Sequence, residues 1–258
     1  MRGRGKKTIA RLQAVRGLFD VFGSMTIRQI FYQLLTTPHV SKYKALGSLL
    51  TDARKKGDID YRYIVDRSRP IYGVTEWNNS DDFLLDAPNL FNLNYWIDEP
   101  IKPVIWTEKD TLSPIMVEIA SQYHVKVCVT RGYLSYSNKM RWGGDIVLYF
   151  GDFDPSGLDM VRDNEEQGIM EKFKRIALTR EQIERYNLPS VKVKKTDTRS
   201  KKYIAKHGDR CWELDALPPD VLKDLVRDTI EDIFTFDLKK KQLEEQIIRD
   251  KLRALFDE

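Results

Sequence analysis

Apolar positions between residues 6 and 56 recur at the three- and four-residue spacing of amphipathic helices. The pattern predicts three helices, over residues 6–22, from Thr26 to Leu35, and over residues 41–56. Thr26 and Gln29 form a capping box at the start of the second helix. The third helix is predicted to turn its leucines inward and its basic residues outward, among them Lys44, Arg54, Lys55 and Lys56.

The segment that follows, residues 59–73, is typical of a short β-ribbon and carries Arg67 and Arg69. Three short helices followed by a basic ribbon is the order of a winged helix-turn-helix, whose third helix enters the major groove while the wing contacts the DNA backbone. This order predicts a DNA-binding domain over residues 1–76. A small helical subdomain with a solvated basic face is the alternative that the pattern leaves open.

From residue 101 onward, near-continuous apolar runs alternate with amphipathic stretches. This alternation predicts an α/β domain over residues 101–258, with a mostly parallel sheet covered on both faces and C-terminal helices. Residues 77–100 are predicted to be a connector with a short helix. The predicted strands are 103–108, 125–130, 145–150, 190–195 and 211–217, and the predicted helices are 112–124, 157–176, 218–234 and 238–256.

Net charge, the length of apolar runs and the cysteines indicate which partners and which cell compartment to expect. The formal net charge of the 258 residues is only +4, although the N-terminal end is basic and would favour a polyanion. No apolar run is long enough to span a membrane, and we expect a cytoplasmic protein, associated with the nucleoid in a prokaryote or phage. Cys128 and Cys211 form no metal-ligand pattern and are expected to be reduced packing residues.

Three acidic residues lie at the carboxyl ends of two of the predicted strands. Asp152 and Asp154 come directly after the strand at 145–150, and Glu108 ends the strand at 103–108. Ligands of parallel sheets bind at the carboxyl ends of the strands, and carboxylate oxygens suit Mg²⁺ or Mn²⁺. The sequence therefore predicts a divalent-ion site at this edge. The alternative is that the aspartates are turn and helix-cap residues and that Glu108 is a surface residue.

The motifs "PVIWTE" and "GDFDPSGLDM" together resemble a Toprim domain, the metal-binding fold of topoisomerases, primases and some nucleases. The residues of the second motif are most similar to those of the A subunit of topoisomerase VI and its relatives that make meiotic double-strand breaks. The segment "WELDALPPDVL" also resembles that group. The resemblance covers residues 101–235. It implies a Toprim domain, of Rossmann-like topology, behind the winged helix.

Those relatives carry a DNA-cleaving tyrosine in a motif similar to "RQIFY", residues 28–32, although Gln29 here replaces an acidic residue. The resemblance implies that Tyr32 is the nucleophile. Helical spacing places Tyr32 off the apolar stripe of its helix and on the same side as Arg28, whose charge would favour the phenolate. A surface tyrosine hydrogen-bonded to solvent is the alternative interpretation.

The resemblance also implies a mechanism and partners. Tyr32 would attack a phosphorus of double-stranded DNA, with Mg²⁺ or Mn²⁺ at the three carboxylates, in a homodimer; strand passage would need a separate ATPase subunit. The alternatives are a hydrolytic nuclease of the Toprim class and a non-enzymatic DNA-binding accessory subunit. Further DNA-backbone contacts are expected at Arg131, which follows a strand, and in a basic segment that includes Lys194, Lys195 and Arg199. A flexible solvated loop is the other interpretation of that segment.

Overall fold

Three helices at the N-terminal end pack around one apolar core. The computed structural model describes residues 5–40, 42–65, 73–132, 144–167 and 172–256. The three predicted helices are confirmed as α1 (Lys6–Phe22), α2 (Ile27–Leu34) and α3 (Tyr43–Lys55). The buried side chains of this core are mostly the aliphatic residues of the predicted stripes: Leu12, Val15, Phe19, Met25, Ile30, Leu34, Leu46 and Leu50 among them.

The prediction of a β-ribbon after α3 is wrong for residues 59–65. Tyr61–Tyr63 form a 3₁₀ turn, because the side chain of Asp60 accepts a hydrogen bond from the backbone N–H of Arg62 at 3.0 Å. Ile64 then makes an isolated bridge with Met25. The rest of the predicted ribbon, including Arg67 and Arg69, lies outside the described residues.

The second half of the chain is built on a four-stranded parallel sheet of order β2-β1-β3-β4. Its strands are β1 (Pro103–Thr107), β2 (Lys126–Val129), β3 (Ile146–Phe150) and β4 (Lys172–Ala177). β1 and β3 are buried almost throughout, as near-continuous apolar runs predict. The predicted α/β class and parallel sheet are therefore confirmed.

Both faces of the sheet are covered. One carries the larger core, with Ile105, Leu148 and Phe150 facing α5 (Ser113–Ala120) and the C-terminal helix α9 (Pro219–Glu231). The opposite face packs against α6 (Pro155–Gln167) through a smaller cluster of Val104, Trp106, Val147, Tyr149 and Met160.

One helix prediction is wrong at its C-terminal end. Residues 157–176 were expected to form a single helix, but α6 ends at Gln167 and residues 172–177 form β4. Phe173 and Ile176 pack against opposite cores of the sheet, which gives this segment its place beside β3. The register of β4 on β3 pairs Tyr149 with Arg175.

The segment expected to be either a flexible basic loop or a DNA track is an ordered structure. β5 (Val191–Lys192) and β6 (Arg210–Cys211) pair antiparallel in a separate two-stranded sheet, with α8 (Ser200–His207) between them. α7 (Arg180–Arg185) precedes them. The strand predicted over residues 211–217 is therefore only partly right, because Leu214–Ala216 form a 3₁₀ turn.

The connector and the last helix dock on each other. α4 (Ser80–Asp86) and a 3₁₀ turn at Ala87–Leu90 lie beside α10 (Leu238–Phe256), where Arg249 donates to the carbonyl of Phe91. Cys128 and Cys211 are both free, as expected. In the described part of the chain, no helix combines the length and apolar character that a membrane span requires.

Candidate functional site at the carboxyl edge of the sheet

The boundary between β1 and β3 is the topological switch point of the sheet, since β2 lies on one side of β1 and β3 on the other. Open parallel sheets bind ligands at such a point, outside the carboxyl ends of the strands. β1 and β3 pair in parallel up to Thr107 and Phe150. Glu108 follows the first of these strands and Asp152 the second, so the prediction that these carboxylates share one edge is confirmed.

Backbone N–H groups hold both aspartates of the turn after β3. Asp154 Oδ1 accepts from the N–H of Gly157 at 2.7 Å, which caps α6, and Asp152 Oδ1 accepts from the N–H of Leu214 at 2.7 Å. Gly157 is required, because a Cβ there would lie 2.3 Å from the carbonyl oxygen of Asp152. Asp154 therefore has the capping role of the alternative interpretation, while its second oxygen leaves it able to act as a ligand as well.

The positive charge among these carboxylates comes from the chain itself. The ammonium of Lys109 lies 2.7 Å from Asp152 Oδ2, 3.2 Å from Glu213 Oε2 and 3.4 Å from Asp215 Oδ2. Burial alone would lower the pKa of Lys109, but the three carboxylates raise it instead. Lys109 is therefore charged, and it joins the turn after β3 to the segment Glu213–Asp215.

Asp215 is the most enclosed acid of the group, with no exposed surface. Its Oδ1 accepts from the hydroxyl of Thr111 at 3.3 Å. Burial raises the pKa of Asp215, whereas Lys109 lowers it. Glu213 behaves differently. Burial would raise its pKa, but the charges of Lys109 and Arg28 lower it to about 2, so Glu213 is ionised.

The predicted ligands repel each other. Burial first, and then the charge of Asp152, raises the pKa of Glu108 from 4.5 to about 7. Burial also raises the pKa of Asp154, and Asp152 adds to the effect. Such upward shifts are characteristic of carboxylates that share a site without an opposite charge for each of them.

The donor set fits a hard divalent cation in chemistry but is not arranged as a preformed cage. Carboxylate oxygens are the ligands that Mg²⁺ and Mn²⁺ prefer. Next to Glu108, the buried hydroxyl of Tyr149 has no hydrogen-bond partner among the described residues. Within those residues, no three acidic, histidine or cysteine side chains converge as a ready metal site. Because the ammonium of Lys109 is paired with Asp152 Oδ2, an ion that uses both oxygens of Asp152 has to displace that ammonium.

Tyr32 lies at the same edge, reached from the N-terminal helices. The residue is only 4% exposed and packs into the core of the sheet domain rather than the core of its own helices. Its hydroxyl lies close enough to Glu213 for that carboxylate to raise its pKa. Arg28, four residues earlier, contacts Glu213 at 2.6 Å, and Gln33 donates to the carbonyl of Ala216 at 3.3 Å. The interpretation of Tyr32 as a solvent-exposed residue is therefore wrong.

The charge of Arg28 favours the phenolate of Tyr32, as predicted, but it is outweighed. Burial and the charge of Glu213 exceed the effects of Arg28 and Lys109, so the net pKa of Tyr32 is well above its ordinary value. Arg28 also pairs directly with Glu213. In this conformation Tyr32 is therefore protonated.

The predicted DNA-contacting residues are distributed over several surfaces. Lys44 and Lys55 line an open groove of about 830 Å³ along α3, together with Ile27, Tyr43 and Thr51. The other described members face solvent or make local pairs: Arg54 with Leu50 O, Lys56 with Asp52, Arg131 with Asp110, and Arg199 with Asp159, while Lys194 and Lys195 are exposed. Among the described residues, the structure does not bring this set together with the three carboxylates.

Sequence reasoning missed Lys109, Glu213 and Asp215 as members of this group. Lys109 adjoins Glu108, and the acids alternate in "WELDAL", so the residue types were visible. Their convergence depends on how the 3₁₀ turn at Leu214–Ala216 folds back onto Asp152, which no local pattern encodes.

A comparison of the sequence with models of known protein families gave no match, and a search among curated proteins gave none either.

Proposed function

We propose that this protein cleaves DNA by Mg²⁺- or Mn²⁺-dependent phosphoryl transfer, with Tyr32 as the nucleophile, in the manner of a reduced topoisomerase VI A subunit. The observation that carries the proposal is that Glu108, Asp152 and Asp154 all follow β1 or β3 at the carboxyl edge of a parallel sheet, beside its switch point. A divalent ion held there would neutralise charge on the transferring phosphate.

The covalent step exchanges one phosphate ester bond for another. The Tyr32 hydroxyl oxygen bonds to phosphorus as it gives up its proton, and the bond to one deoxyribose oxygen breaks, that oxygen leaving with a proton. Since Tyr32 is buried and α2 is held to residues 213–216 by Arg28 and Gln33, attack requires that this contact opens. Lys109 is placed to stabilise the charge of Glu213 when Tyr32 leaves it.

Hydrolysis by water is the second candidate, and one observation favours it. Tyr32 is buried and protonated in the described conformation, so it would be a packing residue if the α2 contact never opened. The carboxylates would then direct a water molecule, as in nucleases of the Toprim class. As in the relatives, a homodimer would be needed to cut both strands by either route.

Plasmid cleavage tests the metal-dependent reaction. Supercoiled DNA is incubated with the protein and Mg²⁺ or Mn²⁺, and nicked and linear products are measured. We expect Asp152→Asn to abolish cleavage and Asp145→Asn, at the exposed opposite end of β3, to retain it. Retained cleavage in Asp152→Asn contradicts the proposed site. No cleavage by the native protein, with DNA binding intact, favours the accessory-subunit alternative.

A further inference from the structure

Arg175 lies on β4 and its guanidinium donates to four main-chain carbonyls. Nε donates to Leu178 O at 2.8 Å, Nη1 to Gly157 O at 3.1 Å, and Nη2 to Gly151 O at 3.0 Å as well as to Asp152 O. One planar, rigid group therefore meets carbonyls from both ends of the turn between β3 and α6.

Two aromatic rings fix the orientation of this guanidinium. Its Cζ lies 5.6 Å from the ring centre of Tyr149 and 5.9 Å from that of Phe153. Both rings are nearly fully buried, and both belong to the segment that carries Asp152 and Asp154. The aromatic contacts and the carbonyl contacts therefore hold the same stretch of backbone.

Arg175 contacts the backbone of the acidic turn and not its carboxylate oxygens. Among the described residues its guanidinium makes no ion pair with an acidic side chain, although Asp152, Glu108 and Asp154 all act on its charge. Its positive charge therefore reduces the mutual repulsion of the carboxylates, although the guanidinium contacts the backbone of the turn and not the carboxylate oxygens. That arrangement suits a residue that organises ligands for a divalent ion.

We propose that Arg175 is the positioning residue of the acidic site: it sets the backbone of residues 151–157 and so directs Asp152 and Asp154 toward a divalent ion. The role rests on the proposed function, because it assigns the ion to that site. Arg175 touches neither the reacting phosphate nor Tyr32, and it acts only through the turn.

The test compares Arg175→Lys with Arg180→Lys. Lysine keeps the charge of Arg175 but cannot reach four carbonyls with one planar group. Arg180 is a matched control, since it also stacks on Phe153, at 5.0 Å, and on Trp212, at 5.1 Å. Mn²⁺ affinity is measured by calorimetry, and the Mn²⁺ concentration that gives half-maximal plasmid nicking is measured separately.

We expect Arg175→Lys to lose roughly 10- to 100-fold in Mn²⁺ affinity, the loss typical of residues that orient metal ligands. Excess Mn²⁺ should recover much of the nicking rate, and Arg180→Lys should bind Mn²⁺ like the native protein. Unchanged Mn²⁺ affinity in a folded Arg175→Lys variant overturns the proposal. So does an equal loss in both variants.

Folding and function are separated in the same experiment. Circular dichroism and thermal melting are recorded for both variants and for Arg175→Gln, which keeps a planar donor without the charge. If both Arg175 variants fail to fold, the role is purely structural and the proposal is wrong. If the native protein binds Mn²⁺ without cleaving DNA, the proposed function fails, while the affinities still decide the role of Arg175.

Discussion

At the scale of single residues, one lysine connects the parts of the acidic edge. Lys109 reaches Asp152 on the turn after β3 and both acids of the segment Glu213–Asp215. Glu213 in turn holds Arg28 and Tyr32 of α2. The catalytic proposal therefore depends on a charge network in which each cation lies between groups from distant parts of the sequence.

Replacing Lys109 with methionine should destabilise the protein, because the buried carboxylates of Asp152 and Asp215 would lose their counter-charge. Breaking a buried ion pair by removing one partner costs about 3–5 kcal/mol. Urea unfolding measures this change, with the exposed Lys240→Met on α10 as the control. Mg²⁺ should restore stability in Lys109→Met more than in the native protein, since the ion can take the vacated position. Equal effects of Mg²⁺ on both proteins would contradict this role of Lys109.

Glu108 should make the stability of the metal-free protein depend on pH. Its pKa rises from 4.5 to about 7 on folding, so between these values the folded state binds more protons than the unfolded state. Stability therefore falls as pH rises from about 4.5 through 7. Glu108→Gln should flatten this part of the profile, and the exposed Glu244→Gln should not. Urea midpoints at several pH values measure it; a profile unchanged in Glu108→Gln would be evidence against the shared acidic site.

At the scale of elements, α2 carries both Tyr32 and Arg28 on only 8 residues. A helix this short is marginal by itself, and its capping box supports it: Thr26 Oγ1 accepts from the N–H of Gln29 at 3.2 Å, and Gln29 Oε1 accepts from the N–H of Thr26 at 2.9 Å. The position of the proposed nucleophile thus depends in part on a capping box that can be recognised in the sequence.

Thr26→Ala should therefore destabilise the N-terminal helices by about 1 kcal/mol, the usual cost of losing such a cap. Hydrogen exchange of the α2 amides should increase at the same time. Ser48→Ala is the control, because Ser48 is exposed and its hydroxyl donates to Lys44 O within α3. Exchange in α2 that does not change in Thr26→Ala would show that docking on residues 213–216 alone maintains this helix.

The elements that the sequence predicted well are those whose apolar pattern is uninterrupted. These are the helices α1 to α3, with their apolar stripes, and the strands β1 and β3, which are buried on both faces. β4 was missed because Arg175 is a charged residue at a position that faces the interior, so the segment did not alternate like a half-buried strand. Its guanidinium is accommodated because four main-chain carbonyls accept from it, three of them about twenty residues away in sequence, and a single segment cannot reveal those contacts.

At the scale of the whole molecule, two cores meet through α2. The helical core ends within the first sixty-four residues, whereas Tyr32 and the neighbouring Phe31 reach the core of the sheet domain. The sequence predicted the three carboxylates at one edge, because parallel strand ends must coincide. The docking of Tyr32 onto Glu213 of its own chain could not be predicted, since it depends on how the two cores are joined.

We expect the groove along α3 to bind duplex DNA, mainly by electrostatic attraction. Lys44 and Lys55 line that groove, so replacing both with glutamate should weaken duplex binding and reduce its salt dependence. Removing one lysine–phosphate interaction makes the slope of log K against log salt shallower by about 0.9. Fluorescence anisotropy at several salt concentrations measures the slope, with Lys239→Glu and Lys240→Glu on α10 as a charge-matched control. A control that weakens binding equally would point to net charge instead of this groove.

Identification of the covalent bond between protein and DNA tests the central claim most directly. After incubation with plasmid and Mn²⁺ and denaturation in detergent, the DNA is digested with nuclease and the protein with trypsin, and peptides are analysed by mass spectrometry. We predict a nucleotide attached to Tyr32 in the peptide that follows Arg28, absent in Tyr32→Phe and retained in the exposed Tyr61→Phe. Cleaved DNA with free ends and an unmodified Tyr32 would contradict transesterification and leave hydrolysis as the function of this site.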